Sequence, residues 1–408
     1  MTVLWWVSVV SLVVWVGLAW GHGGFWRTDQ RLPAVDGEPA VWPAVVVLVP
    51  ARDEAEVLPS SLPSVLGQEY PGRARVVLVD DHSTDGTGAL ARELAARTGG
   101  LELTVTTPPP LPEGWTGKLW ALRHGVGQAG DGEWLLLTDA DIAHRPGSLR
   151  ALVAAGEGAG LDLVSQMARL RVASRWERLI VPAFVYFFAQ LYPFRRANRP
   201  GSRTAAAAGG CSLVRRAALE RAGGVAAIRG AVIDDVSLAR AVKRTGGRTW
   251  LGLADRVDSV RPYPGLGPLW RMVSRSAYAQ LRYSPLLLAG TVAGLALVYL
   301  VPPVAAVAGA AAGSWRTAGA GLAAWAVMAG TYAPMLRYYR QRVTAAPLLP
   351  FTALLYLLMT VDSAVQHWRG RGAAWKGRTY PRPQPHAQPQ PHSPAPAHTE
   401  QPAEPSAE

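Results

Sequence analysis

Three acidic clusters in the 408-residue chain carry residue types suited to holding a phosphorylated ligand. They are Asp80-Asp81-His82-Ser83-Thr84-Asp85-Gly86, Asp139-Ala140-Asp141 and Asp234-Asp235. A carboxylate at a strand end can accept hydrogen bonds from a base N–H or a ribose hydroxyl, although Asp, Ser and Gly together also make ordinary Asx turns. Asp139 and Asp141 stand one residue apart, and carboxylates at that spacing repel unless a cation lies near both. Mg²⁺ or Mn²⁺ is such a cation, taking oxygen ligands from one or two carboxylates and from substrate phosphates. Asp234-Asp235 precedes Leu238, Ala241 and Val242 at helical spacing. At a helix start the dipole favours negative charge; beside a metal–diphosphate site the same carboxylate can act as a general base toward a hydroxyl. Lys118, in Trp115-Thr116-Gly117-Lys118, is either a solvated cation or a phosphate contact at a helix N-terminus. His124, His144 and Cys211 read as packing or surface residues.

The elements that must position these groups are visible as composition. From Pro43 to about Arg261, short β-branched runs alternate with amphipathic stretches separated by Pro, Gly, Asp or Ser, the pattern of a parallel α/β sheet. AVVVLV from Ala44, RVVLVDD from Arg75 and EWLLLTDAD from Glu133 are continuous rather than alternating, so they predict strands buried on both faces. A helix is expected to start at Asp85-Gly86-Thr87 and another at Pro146, the latter running to about Gly156. Ligands of open α/β sheets lie beyond the carboxyl ends of the strands, so the acidic clusters should converge on one cleft.

Outside this region the chain turns apolar. Residues 1–24 contain no charged side chain, and Leu4 to Trp20 approaches the length of a ~30 Å hydrocarbon core. With neither a basic n-region nor a small-residue cleavage site, it reads as an uncleaved anchor rather than a signal peptide. Leu286–Gly313, Ala318–Leu336 and Pro347–Val361 are further candidate spans. Arg337, Arg340 and Arg342 mark the cytoplasmic side by the positive-inside rule. A full third span would put Arg369, Arg371, Lys376 and Arg378 on the opposite side. Either that segment is re-entrant, or the first run makes two short passes at Pro302-Pro303. The greasy stretch Val181–Phe194 is an interfacial segment or a buried helix. The expected organisation is an anchor at 1–24, an α/β domain at 40–283, a membrane region at 284–366 and a disordered Pro-rich tail at 381–408, whose His386, His392 and His398 are assigned no chemistry.

Overall composition narrows the class. The net charge is +12, yet only 17% of residues are charged and 49% are hydrophobic, which excludes a wholly disordered chain. One cysteine excludes an intrachain disulfide. Trp outnumbers Phe sixteen to six, as suits a protein with many side chains at a membrane interface. After the first strand stands Pro50-Ala51-Arg52-Asp53-Glu54 where a dinucleotide enzyme would carry G-x-G-x-x-G, and there is no Walker A sequence.

In their order, Val47 to Glu54, Val77 to Thr87, Gly117-Lys118, Asp139-Ala140-Asp141 and Asp234-Asp235 resemble a family 2 glycosyltransferase with a GT-A fold, an α/β, Rossmann-like and mostly parallel domain. Gly114-Trp115-Thr116-Gly117-Lys118-Leu119-Trp120-Ala121, the Thr204–Cys211 stretch TAAAAGGC and Gln280 to Pro285 resemble more closely the membrane-bound hopene-associated enzymes, and more distantly ceramide glucosyltransferases. This resemblance implies a nucleotide-sugar donor, uridine-linked, held by Asp81 with Asp80, with Asp53 and Glu54 bordering the pocket and Lys118 approaching the base or diphosphate. It implies that Asp139 and Asp141 engage donor and divalent cation, and that Asp235 is the base of an inverting enzyme. Its expected partners are the bilayer and a membrane lipid acceptor, a hopanoid being the first to try, at the cytoplasmic face of a bacterial inner membrane, with no nucleic acid. The family's (Q/R)-x-x-R-W clamp is missing; Gln280-Leu281-Arg282-Tyr283 is one residue short, leaving Arg271, Arg275 or Arg282 to face the phosphates. The rival reading is a non-catalytic scaffold that binds nucleotide-sugar without turnover.

Overall fold

The continuous β-branched runs become the centre of one eight-stranded sheet: β1 (Val45–Ala51), β2 (Ala74–Asp80), β3 (Glu102–Thr106), β4 (Trp134–Thr138), β5 (Ile142–His144), β6 (Leu163–Arg169), β7 (Cys211–Arg215) and β8 (Thr249–Ser259), in the order β3-β2-β1-β4-β7-β6-β8-β5. The structure, a computed structural model, describes residues 1–34, 37–370, 374–375 and 378–379; the 381–408 tail lies outside the described residues. β3, β2, β1 and β4 run parallel, as does the β6–β8 pair, while β7 and β5 run antiparallel to their neighbours. Every residue of β1 and β4 is buried, as unbroken apolar runs require.

One face is covered by α2 (Leu58–Leu66), α3 (Thr87–Thr98) and α5 (Ser148–Gly158), the other by α4 (Gly117–Gly127), α8 (Arg216–Arg221) and α9 (Asp234–Arg244). The expected start at Pro146 is two residues early. Gly147, with φ +72°, makes the turn into α5, and Ser148 N donates to Arg145 O at 3.0 Å, so Pro146 lies in that turn. Parallel pairing brings Asp80 level with Ala51, and antiparallel pairing brings Cys211 level with Thr138. The TAAAAGG loop before β7 is thereby delivered to the end of β4.

The apolar segments fold onto this domain. α6 (Arg175–Leu191) contains most of the Val181–Phe194 stretch and is a buried helix; α7 (Phe194–Ala197) follows it. Its Ser174–Glu177 capping box doubles as a clamp, since the buried Glu177 carboxylate accepts from Ser174 N (2.7 Å) and from Tyr263 N (2.6 Å) at the entry to α10 (Leu266–Gln280). Beyond α10 come α11 (Pro285–Leu295), α12 (Val301–Ala311), α13 (Trp315–Tyr338) and α14 (Leu349–Trp368). One aromatic-rich core joins α6 to these helices and to α1 (Thr2–Gly21): Tyr186 Oη lies 2.8 Å from Thr331 Oγ1, and Tyr356 Oη donates to Ile180 O at 3.3 Å.

Three helical stretches are long and apolar enough to cross a membrane: Thr2–Gly21, Pro285–Ala311 and Val343–Trp368. The helix expected over Ala318–Leu336 is α13, 24 residues long but not among those three; its buried Ala320, Ala324 and Met328 face the other helices. The Pro302-Pro303 pair does not break the chain into two short passes. A π-turn at Ala296–Leu300 carries the helix through, and the carbonyls the prolines leave without donors are taken by α1: Ser11 Oγ donates to Leu297 O (2.8 Å) and Trp15 Nε1 to Val298 O (2.6 Å).

The last apolar segment dips and comes back. Tyr338 Oη, at the end of α13, donates to Ala254 O in β8. The chain then descends to mid-α13, where Trp325 Nε1 donates to Pro347 O at 3.0 Å. α14 climbs back to α10: Trp270 Nε1 donates to Asp362 Oδ2 (2.9 Å), Tyr278 N to Ser363 Oγ (3.0 Å), and His367 stacks on Tyr283 with 4.4 Å between centroids. Half of the most apolar window of this segment is buried in protein, against 22% for each of the other two.

Candidate functional site

The carboxyl ends of β1, β2 and β4 carry Arg52–Glu54, Asp80-Asp81 and Asp139–Asp141 along one edge of the sheet. The loops after β1 and β2 interlock. Asp53, at φ +50°, accepts from Thr84 N (2.8 Å) while its own N donates to Ser83 Oγ (3.0 Å); Asp80 Oδ1 accepts from Ser83 N (2.9 Å). Asp81 is fully buried, its carboxylate 3.7 Å from the Arg52 guanidinium. Asp53 and Asp80 thus spend oxygens on loop N–H groups, the Asx chemistry that the Asp-Ser-Thr-Asp-Gly spelling allows.

A cavity of about 920 Å³ opens beside this edge, and Lys118, Asp139, Asp141, Asp234 and Asp235 all line it. Lys118 stands at the start of α4, Asp139 just past β4, and Asp234-Asp235 open α9. Lys118 Nζ bridges Asp139 (2.7 Å) and Asp234 (3.0 Å). Burial pushes the ammonium toward neutrality, but the two carboxylates outweigh it and raise its pKa, so Lys118 is a fixed cation. On the far side Arg261, just past β8, donates to Asp141 Oδ2 and to the buried Glu54, both at 2.6 Å. Burial likewise works against its charge, and Asp141 and Glu54 more than restore it. Each carboxylate of the D-x-D pair therefore has a protein cation of its own.

Asp235 is held differently. Its Oδ2 accepts from Gly209 N (2.9 Å) and its Oδ1 from Val236 N (2.7 Å). Burial and the adjacent Asp234 charge raise its pKa to about 7, against those hydrogen bonds and the Lys118 charge. The loop passes close to both groups at Gly209, where a Cβ would make ordinary contact with Lys118 Nζ at 3.4 Å and Asp235 Oδ2 at 3.5 Å. Gly210 O takes the Thr138 hydroxyl (2.9 Å) and locks the loop to β4.

The structure thus gathers Lys118, Asp139, Asp141 and Asp235 round one cavity, with Glu54 and Arg261 beside them, and sets Asp53, Asp80 and Asp81 along the adjoining strand ends. Of the three arginines considered for the phosphates, Arg271 and Arg275 line the cavity, whereas Arg282 is exposed in a left-handed turn at φ +53°. Arg261 belongs to no acidic cluster, and its position just after a strand is its only sequence signal. His144 is buried against Thr138 Oγ1 (2.9 Å), and burial lowers it to about 4, so it is a neutral packing group. Burial raises the Cys211 thiol to about 12. Among the described residues no three His, Cys, Asp or Glu side chains form a ready metal cluster. Asp139 and Asp141 still offer the hard oxygen donors that Mg²⁺ or Mn²⁺ takes together with substrate phosphates.

The cavity also changes character along its length. From the acidic end it runs to Phe184 and Phe188 of α6, Trp270 and Tyr278 of α10, and His367 of α14.

A family model described as "Glycosyltransferase like family 2" matches residues 43–277. The probable glycosyltransferase YdaM of Bacillus subtilis (strain 168) is 29% identical over 137 residues, 32% of this chain and 32% of YdaM. The glycosyltransferase AglE of Haloferax volcanii is 31% identical over 123 residues, 30% of this chain and 38% of AglE. The chain therefore spans about a third of the length of these curated relatives. Among solved structures, the mannosyltransferase PcManGT from Pyrobaculum calidifontis, in complex with GDP-Man and Mn²⁺, superposes with a TM-score of 0.53 at 20% identity, covering 88% of this chain and 99% of that one. At that identity the likeness is one of fold.

Proposed function

We propose, for a chain that belongs to glycosyltransferase-like family 2, that it moves a sugar from a nucleoside diphosphate sugar to a hydroxyl of a membrane lipid, with inversion at the anomeric carbon. The observation that carries this reading is the single cavity in which Asp139, Asp141, Lys118 and Asp235 share walls with the aromatic side chains of α6 and α10. A water-soluble, multiply charged donor suits the first set and an amphiphile the second. The three apolar helices support an acceptor that arrives from a bilayer.

In this reading Asp139 and Asp141 hold a divalent cation, which when bound offsets the charge of the departing diphosphate. Arg261, which pairs with Asp141, would be free to face the diphosphate with a cation bound there, and Arg271 and Arg275 stand along the same cavity for phosphate oxygens. The acceptor oxygen attacks the anomeric carbon as the bond from that carbon to the phosphate oxygen breaks. The hydroxyl proton passes to a carboxylate oxygen of Asp235, and the nucleoside diphosphate leaves with the bonding pair. A base near 7 is well matched to proton abstraction at neutral pH. Lys118 contributes a cation already in place, so it stabilises developing charge without having to reorganise. A uridine donor and a hopanoid acceptor are the first pair to try, on the motif resemblance described above.

The test uses purified protein in detergent with Mn²⁺, a panel of UDP- and GDP-sugars, and polyisoprenoid, hopanoid and sphingoid acceptors. Lipid-linked sugar is expected in the wild type and a loss of about 10²–10⁴-fold in Asp235→Asn with donor binding retained. Donor binding without transfer or hydrolysis for any acceptor, and no effect of Asp235→Asn, would leave the scaffold reading standing.

A further inference from the structure

A second cavity, of about 620 Å³, lies away from the acidic cleft, at the junction of α1, α7 and α13. Four arginines line it: Arg27, Arg195, Arg196 and Arg199. Among the described residues their one carboxylate partner is Asp29, which pairs with Arg195. Arg27 lies over the Trp26 ring, and Arg196 Nη2 donates to Gly21 O at 2.6 Å, capping the end of α1. Gly23 and Gly24, at φ +64° and +61°, turn the chain beneath these side chains; a Cβ at Gly23 would stand 2.9 Å from Arg196 Cγ. The opposite wall is apolar, made by Ala19 and Trp20 of α1 and Val327 and Gly330 of α13.

The cavity continues into an apolar surface. Trp20 is 75% exposed, and with Val13 and Val16 it forms an exposed stripe at i, i+3 and i+7 on α1. If α1 crosses the bilayer, the four guanidiniums sit at the level of phosphate headgroups, and acyl chains have the stripe to lie against. Guanidinium groups bind phosphate oxygens in pairs, which a zwitterionic headgroup, carrying its own ammonium, competes for.

We propose that this cavity is a binding site for an anionic phospholipid, its phosphate held by Arg27, Arg196 and Arg199 and its chains along α1 and α13. The site shares no residue with the acidic cleft, so it goes beyond the proposed transfer reaction and stands or falls separately.

The test uses the full chain in a neutral detergent, with native mass spectrometry and thermal unfolding in the presence of dioleoylphosphatidylglycerol, dioleoylphosphatidylcholine of the same chains, or inorganic phosphate. The expected result is one retained phosphatidylglycerol and a raised Tm, with phosphatidylcholine weaker. Arg27→Gln with Arg199→Gln is expected to weaken retention about tenfold and to leave nucleotide-sugar binding unchanged; neither side chain makes an ion pair with a described residue. Equal retention of both lipids, undiminished retention by the variant, or full displacement by inorganic phosphate would each overturn the proposal. A measurement free of charge variants is quenching by phosphatidylglycerol with brominated chains: it should quench the wild type more than Trp20→Phe, and equal quenching counts against the site.

Discussion

In the proposed reaction Asp235 works as the anion, and burial together with the Asp234 charge lifts its carboxyl to about 7. Activity that depends on this base is full above that pH and falls as the pH drops through it. We expect kcat/KM to show an acid limb centred near 7. Asp234→Asn removes one of the upward pushes, so the limb should move to lower pH; a limb that stays put would assign the titration to another group. Arg261 gives a second handle. It pairs with Asp141 at 2.6 Å, so it would compete with a divalent cation for that carboxylate in the proposed site. Arg261→Gln should tighten Mn²⁺ binding, read as loss of the free-ion EPR signal, by about tenfold for each ~1.4 kcal/mol of repulsion removed. Unchanged affinity would mean that Asp141 does not meet the ion.

At the level of elements, two close approaches decide whether the parts fit. The loop before β7 passes Lys118 and Asp235 at Gly209, where a Cβ would sit at ordinary contact distance from both side chains. Gly209→Ala should therefore fold with little change in Tm and keep turnover within a few-fold of wild type; a loss of an order of magnitude or more would show that neither group can give at all. The second approach is α1 against the π-turn. Trp15 Nε1 satisfies Val298 O, a carbonyl beside the π-turn left without a backbone donor by the Pro302-Pro303 pair. In an apolar surrounding such a group has no water to turn to. Trp15→Phe keeps most of the ring and removes the donor, and should destabilise the protein by about 1–3 kcal/mol, measured as unfolding in a fixed detergent. A shift within error would mean the carbonyl finds another partner.

Across the whole molecule, α14 is the segment whose role depends on where its ends go. Its approach is anchored at Tyr338 on β8, and its end at Tyr278 and Tyr283, which line the same cavity as the acidic groups. We therefore predict that, in a bilayer, both ends of this segment, with Arg337, Arg340, Arg342 and Arg369, lie on the side of the α/β domain. Cys211 is the chain's only cysteine and is buried, so Gly370→Cys places one reactive thiol. In sealed vesicles that thiol should label with a membrane-impermeant maleimide from the same side as a cysteine placed at Arg340. Labelling from opposite sides would mean that α14 crosses.

The acidic clusters, the buried strands and the apolar runs are legible in the sequence because each is local: a carboxylate after a β-branched run announces a strand end, and twenty uncharged residues announce an apolar helix whatever lies around them. The ordered series of motifs adds the fold, since β-α alternation leaves few ways to pair parallel strands. Arg261 is different. Its place just after a strand is the one local mark it carries, and only the pairing of β8 with β5 and β6 carries it to Asp141. Likewise the Pro pair reads as a break until a donor from α1, more than 280 residues away, fills the vacant carbonyl. Whether α14 crosses or returns turns on hydrogen bonds to α10 and α13 that composition does not encode. Local chemistry states which groups a segment offers; contacts between distant segments settle which of those groups meet.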